Sequence, residues 1–281
     1  EQLKPQVYEG GTDVRSVVSQ LRSAGIYTVA RVVAFRDPIL PGKDLSRAVM
    51  DSRRKRAGEA WVSWGTATTW LDPYNTRNHD LVLALCREAE DLGFDEVQLD
   101  YIRFPVDAGT QYAVYPAQTD TERRFVLLDL LRRVDAALSV PLGVDVFGLT
   151  VLREGDPTGL GQSLRDWTEH VEVFSPMLYL NAMQGWRRDA DRRGYRLIKN
   201  ISRIFRRRLG RGPVLRPFLQ GFKNGVPDYG PKVVQDQVEG ALHGRADGFM
   251  FWNPGSKFSA VSAGMRGAPR FGRPFPLRSR G

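Results

Sequence analysis

Strand signals and helix signals alternate along this chain from one end to the other, and that alternation limits the folds open to it. Apolar, strand-like runs fall at Tyr27–Phe35, Val97–Phe104, Leu142–Phe147, Val171–Tyr179, Val214–Phe222 and Gly248–Trp252. Between them lie segments with helical spacing: Thr12–Ala24, Arg77–Leu92, Thr121–Leu138, Leu164–His170, Met183–Leu209 and Lys232–His243. Repeated strand–helix units predict parallel strands joined by right-handed crossovers. Several of the runs end in polar or aromatic residues followed by a loop: Arg36-Asp37-Pro38, Asp100, Asp145, Tyr179, Gln220 and Asn253. In a closed parallel barrel such ends converge on one mouth, where α/β barrels keep their chemistry. The expected fold is therefore α/β, a TIM-type (β/α)8 barrel over residues 1–255. The Gly/Pro/Arg-rich residues 256–281 form a peripheral tail in this reading.

Six strands are two short of a closed barrel. A seventh is sought in Thr68–Leu71, and the expectation is that the first one or two strands lie outside this chain. The chain begins at Glu1 rather than Met, which reads as a trimmed or mature segment.

Composition narrows the function classes. No run of about 18 apolar residues exists that would form a transmembrane helix. The formal charge is +9, and arginine far outnumbers lysine. The basic clusters Arg53-Arg54-Lys55-Arg56, Arg187-Arg188, Arg192-Arg193 and Arg206-Arg207-Arg208 read as solvated helix faces, and no nucleic-acid motif accompanies them. A nucleic-acid partner is not expected. Cys86 is the only cysteine, on an apolar helix face, and reads as a buried, inert thiol. His79, His170 and His243 lack metal-ligand spacing, so neither a metal nor another cofactor is expected. No Gly-rich phosphate loop and no G-x-S-x-G elbow is present.

The strongest candidate for chemistry is Asp100, which closes the run Glu96-Val97-Gln98-Leu99-Asp100. Asp145 stands near the end of the next strand. Adjacent strands lie about 4.8 Å apart, so the two carboxylates can approach the roughly 5–5.5 Å gap of a retaining glycosidase or the wider gap of an inverting one. Close like charges push their pKa values apart, leaving one acid protonated and one ionised. Arg31, inside its strand, needs a carboxylate or ligand to justify burial, or else snorkels to water. Asp72 sits in the turn Trp70-Leu71-Asp72-Pro73-Tyr74-Asn75, where Trp70 and Tyr74 offer a flat wall for a pyranose and Trp61 and Trp64 lie close by. Arg103, Tyr179, Gln220 and Trp252 stand at or just beyond strand ends. They are expected to hold sugar hydroxyls or to stack on a ring.

Ala30–Pro38, Trp70–Asn75, Phe94–Pro105, Val144–Gly148, Ser175–Tyr179 and Phe251–Asn253 resemble, in order, the motifs of the DUF4015 family of glycosidase-like TIM-barrel domains. The resemblance implies a TIM-type barrel, glycosidase activity, and two strands normally preceding Ile26. In that register Asp100 lies on the fourth strand and Asp145 on the fifth.

The expected function is hydrolysis of a polysaccharide or oligosaccharide by the Asp100/Asp145 pair, in either order of roles, at an extracellular or cell-envelope location. The alternative is a non-catalytic polysaccharide-binding barrel. The arrangement of subunits is left open.

Overall fold

Each expected strand becomes a real one because its apolar run is bounded by residues that end ladders. In the computed structural model, residues 13–53, 59–64, 67–148, 159–182, 193–226 and 228–270 are described. The basic residues Arg54-Lys55-Arg56, Arg187-Arg188 and Arg192, the start of the helical segment at 183, and tail residues 271–281 lie outside them. One parallel sheet runs β1 (Val29–Val33), β3 (Glu96–Asp100), β5 (Leu142–Phe147), β6 (Val173–Leu178), β8 (Phe218–Gln220) and β9 (Met250–Trp252). The short β7 (Val214–Leu215) also pairs with β6. β7 and β8 are one strand in two pieces. Val214 opposes Val173 and Phe218 opposes Met177, the same offset. The break falls at Arg216-Pro217, facing Ser175-Pro176, where the prolines have no N–H for the ladder.

The six expected strands are thus the six of the sheet. Thr68–Leu71 does not add a seventh. It makes isolated antiparallel bridges to Ser63, Arg36 and Ala48, beside a small antiparallel pair formed by β2 (Met50–Asp51) and β4 (Ala113–Val114).

Helices cover the outer face of the sheet. α1 (Val14–Ser23) starts at Asp13, whose carboxylate accepts from the Ser16 N–H at 3.2 Å. α3 (Thr76–Asp91) starts at Asn75, which accepts from the Arg77 N–H at 3.0 Å. It stops before Gly93, whose φ of +94° suits a residue without Cβ. The short α2 (Leu40–Lys43) precedes it, and α4 (Arg123–Asp135), α5 (Leu164–Trp167), α6 (Arg193–Leu209) and α7 (Pro231–His243) follow. Val97, Leu99, Val144 and Val146 point outward to meet Val82, Cys86, Leu127, Leu130 and Leu131 from α3 and α4, all fully buried. Each such side chain contributes roughly 1.5–3 kcal/mol. Burial pushes the Cys86 thiol up to about 12, so it is inert. Residues 259–265 form α8 (Ser259–Met265), which packs on α7 so tightly that a Cβ on Gly264 would lie 2.5 Å from Val234. The segment expected as a peripheral tail therefore opens with a packed helix.

The sheet curls. β1 and β9 stand at opposite ends of the strand order, yet the Arg31 guanidinium lies 5.0 Å from the centre of the Trp252 ring. The result is an open, TIM-type half-barrel whose strand ends face one mouth.

Candidate active site

The inner face of the curled sheet is polar. Alternation sends Val97 and Leu99 out to the helices and Glu96, Gln98 and Asp100 inward. All five residues of β3 are buried. At the end of the barrel away from the mouth, Glu96 is fully buried and forms an ion pair with Arg216, one contact being Nη1 to Oε2 at 3.0 Å. The Tyr27 hydroxyl donates to the same carboxylate at 3.1 Å. Gly143 makes room for it, since a Cβ there would lie 2.7 Å from Glu96 Oε1. Above this pair the Gln98 amide donates to Ser175 Oγ at 2.9 Å.

Asp100 ends β3 at the mouth. Arg31 donates to its Oδ2 through Nε at 2.9 Å and through Nη2. The backbone N–H of Tyr101 donates to Oδ1 at 2.6 Å. Tyr101 has φ of +51°, a left-handed conformation that a bulky residue rarely adopts, and this turn aims the amide back at the carboxylate. Asp145, on the neighbouring strand, is 2 % exposed, and its Oδ1 finds no hydrogen-bond partner among the described residues. Burial is the main cause that holds its carboxyl well above the usual range. The charge of Asp100 acts in the same direction, while Arg31 and Arg216 oppose it. Tyr179, beyond the end of β6, has its hydroxyl raised by burial and then by the charges of Asp145 and Asp100. It lies near enough to both carboxyls for their charges to bear on its hydroxyl, and its ring packs edge-on against Phe222.

The structure therefore brings together Asp100, Asp145, Arg31, Tyr179 and Trp252. Arg31 pairs with Asp100 and lies over the Trp252 ring, with 34 % of its side chain still exposed.

Four other expected sugar contacts are placed differently. Asp72 is buried with one oxygen on the Tyr74 N–H and the other on the Ala117 N–H, both at 2.9 Å. It ties two loops together. Tyr74 is half-buried and packs edge-on against Phe104 and Tyr115, and Trp70 is fully buried, so the two do not form a joint wall for a sugar. Arg103 is buried among the rings of Trp70, Tyr101 and Phe147 and donates to the Phe104 carbonyl. It braces Tyr101 from behind. Gln220 accepts from the Asn181 N–H and donates to the Phe222 and Asn224 carbonyls, so both its N–H groups are taken, and it is fully buried.

The sequence reading missed Glu96 and Arg216 as an interior pair and Tyr101 as the strained residue beside Asp100. The period-2 polarity of Glu96-Gln98-Asp100 was the available signal for the first. Among the described residues no group of three or more His, Cys, Asp or Glu could hold a metal ion.

A curled parallel sheet covered by helices, with an ion-paired carboxylate and a buried carboxyl at neighbouring strand ends, defines a TIM-type α/β domain. The chain belongs to the DUF4015 family, described as "Putative glycosyl hydrolase domain", whose model matches residues 3–258. It is a domain of the glycosidase class. Among solved structures it is similar to the glycoside hydrolase domain of PgaB (BpsB) from Bordetella bronchiseptica. The identity is 15%, over 85% of this chain and 74% of that one, with a TM-score of 0.60. It is also similar to TtGalA, the α-galactosidase of Thermus thermophilus, at 15% identity over 90% and 48% of the two chains, TM-score 0.54. The spore cortex-lytic enzyme SleL of Bacillus megaterium QM B1551 matches at 10% identity over 86% and 59%, TM-score 0.51. These likenesses establish a shared fold. Comparison with curated proteins finds no match.

Proposed function

We propose that this domain hydrolyses a glycosidic bond of a polysaccharide or oligosaccharide, with Asp145 as general acid and Asp100 as nucleophile or electrostatic stabiliser. The observation that carries the assignment is the contrast between two adjacent carboxyls. One is held by Arg31 and a backbone N–H, as an anion would be. The other is buried with an unpartnered oxygen, as a neutral acid would be. Asp145 gives its proton to the leaving-group oxygen as the bond breaks, while the Asp100 carboxylate faces the positive charge developing at the anomeric carbon. Asp145, then ionised, takes a proton from the incoming water. Arg31 fixes Asp100 in position, Tyr179 offers a hydroxyl close to both carboxyls, and Trp252 supplies an aromatic surface beside Arg31.

The test is release of reducing ends from a panel of neutral, amino- and acidic polysaccharides. The Asp100→Asn variant is run on every substrate the wild type cleaves. Cleavage abolished in the variant supports the reading. Cleavage that survives, or binding of a polysaccharide with no cleavage by the wild type, overturns it.

A further inference from the structure

At the opposite end of the barrel from the mouth, a cleft of about 1190 Å³ opens between the C-terminal half of α6 and the loop from α7 to β9. Asn200, Arg203, Ile204, Arg206, Arg207, Gly210, Arg211, Arg245 and Asp247 line it. The arginines fall into two groups. Arg206 is half-buried and structural. It forms an ion pair with Asp247, and it donates to the carbonyls of Arg245 at 3.2 Å and Pro213 at 2.9 Å. Asp247 also accepts from the Leu215 N–H at 2.8 Å. The single acid of the lining is thus taken. Arg203, Arg207, Arg211 and Arg245 are exposed around that neutral floor.

From this cleft we propose a second binding site, for an acidic polysaccharide. Four observations select that ligand. Four exposed guanidinium groups with no available acid make a site for oxyanions, which guanidinium forks bind in a bidentate manner. The cleft is larger than the roughly 300–1,000 Å³ of a small-molecule pocket. Arg203 and Arg207 are one helical turn apart, a rise of about 6 Å, so the charges follow a line and match anions repeated along a chain. Finally, among the described residues no aromatic side chain lines the cleft. A single-stranded nucleic acid would leave its bases unstacked there, whereas an acidic glycan needs only its anions met. The site is independent of Asp100 and Asp145, so its failure would leave the catalytic reading untouched.

The experiment follows anisotropy of fluorescein-labelled polygalacturonate, dextran and a single-stranded oligodeoxynucleotide on the whole chain, between about 50 and 200 mM salt. Polygalacturonate is expected to bind, with affinity falling steeply as salt rises, and dextran not to bind. The double variant Arg207→Ser/Arg211→Ser should weaken binding roughly tenfold and flatten the salt slope by about one to two. Arg87→Ser/Arg165→Ser removes the same charge from other exposed positions and should change affinity less than twofold. Hydrogen exchange on the wild type gives a readout that needs no variant, with protection expected over 200–211 when polygalacturonate is added. Equal loss in both double variants, tighter cleft-dependent binding of the oligonucleotide, absence of binding, or no protection of 200–211 would each overturn the proposal.

Discussion

Replacing Asp145 by Asn should make the protein more stable, and more so as pH rises. Burial, and after it the Asp100 charge, raise the carboxyl well above the usual range. In the unfolded chain it titrates near 3.9, as an ordinary Asp does. Below that pH both states are protonated and the group costs nothing. Above it the unfolded chain releases the proton while the native state keeps it, so stability falls as pH rises, by about 1.4 kcal/mol per pH unit. The loss continues until the raised native pKa is reached. If the carboxyl is still protonated at pH 6, about two pH units above the unfolded value, the accumulated cost is about 2.9 kcal/mol. Asn is a neutral isostere that never incurs this cost, and titrating groups not coupled to Asp145 cancel in the difference between the two proteins. Urea denaturation of both at a series of pH values from about 3.5 to 7.5 measures it. The expected result is a difference that grows with pH at nearly the theoretical slope, in a variant that has lost the proposed general acid. A flat difference between pH 4 and 7 would refute the claim that Asp145 is a neutral acid in the folded state.

Three further outcomes follow from the interior and the loops. Glu96→Gln should destabilise by about 3–5 kcal/mol in urea denaturation because it leaves Arg216 charged and unpaired, and Glu96→Gln combined with Arg216→Met should recover most of that loss. Gly143→Ala should cost about 1–3 kcal/mol by the same measurement, since its methyl meets a Glu96 carboxylate that Arg216 keeps from moving; Gly143→Ala in the Glu96→Gln/Arg216→Met background should cost less. Gln220→Ala should lower the melting temperature by several degrees by stranding the Asn181 N–H and two carbonyls, with KM on a cleaved substrate changed less than twofold; a selective rise in KM would return Gln220 to the substrate.

The parts of this molecule that sequence revealed are those fixed by local pattern. The six strands were legible because each apolar run is closed by Gly, Pro or a polar loop, even where Pro217 splits one of them. Asp100 and Asp145 were legible because a carboxylate at a strand end is a positional signal. Direction and partnership were not. Period-2 alternation groups Glu96, Gln98 and Asp100 on one face without saying that it is the inner one. Glu96 and Arg216 are 120 positions apart, and Asp72 finds Ala117 at 45, so no local pattern announces either contact. Aromatic content likewise marked the loop between β1 and α3 but not exposure. Trp61 and Trp70 are fully buried there, whereas Trp64 is 46 % exposed.

The central claim is that Asp100 and Asp145 together break a glycosidic bond, and the most direct measurement is kcat on a cleaved polysaccharide for the wild type, Asp100→Asn, Asp145→Asn and the double variant. Residues acting as one unit are strongly non-additive. Each single variant should therefore lose at least about a thousandfold, and the double variant little more than either. Retention of near-wild-type turnover in either single variant, or full multiplicative loss in the double, would contradict the account.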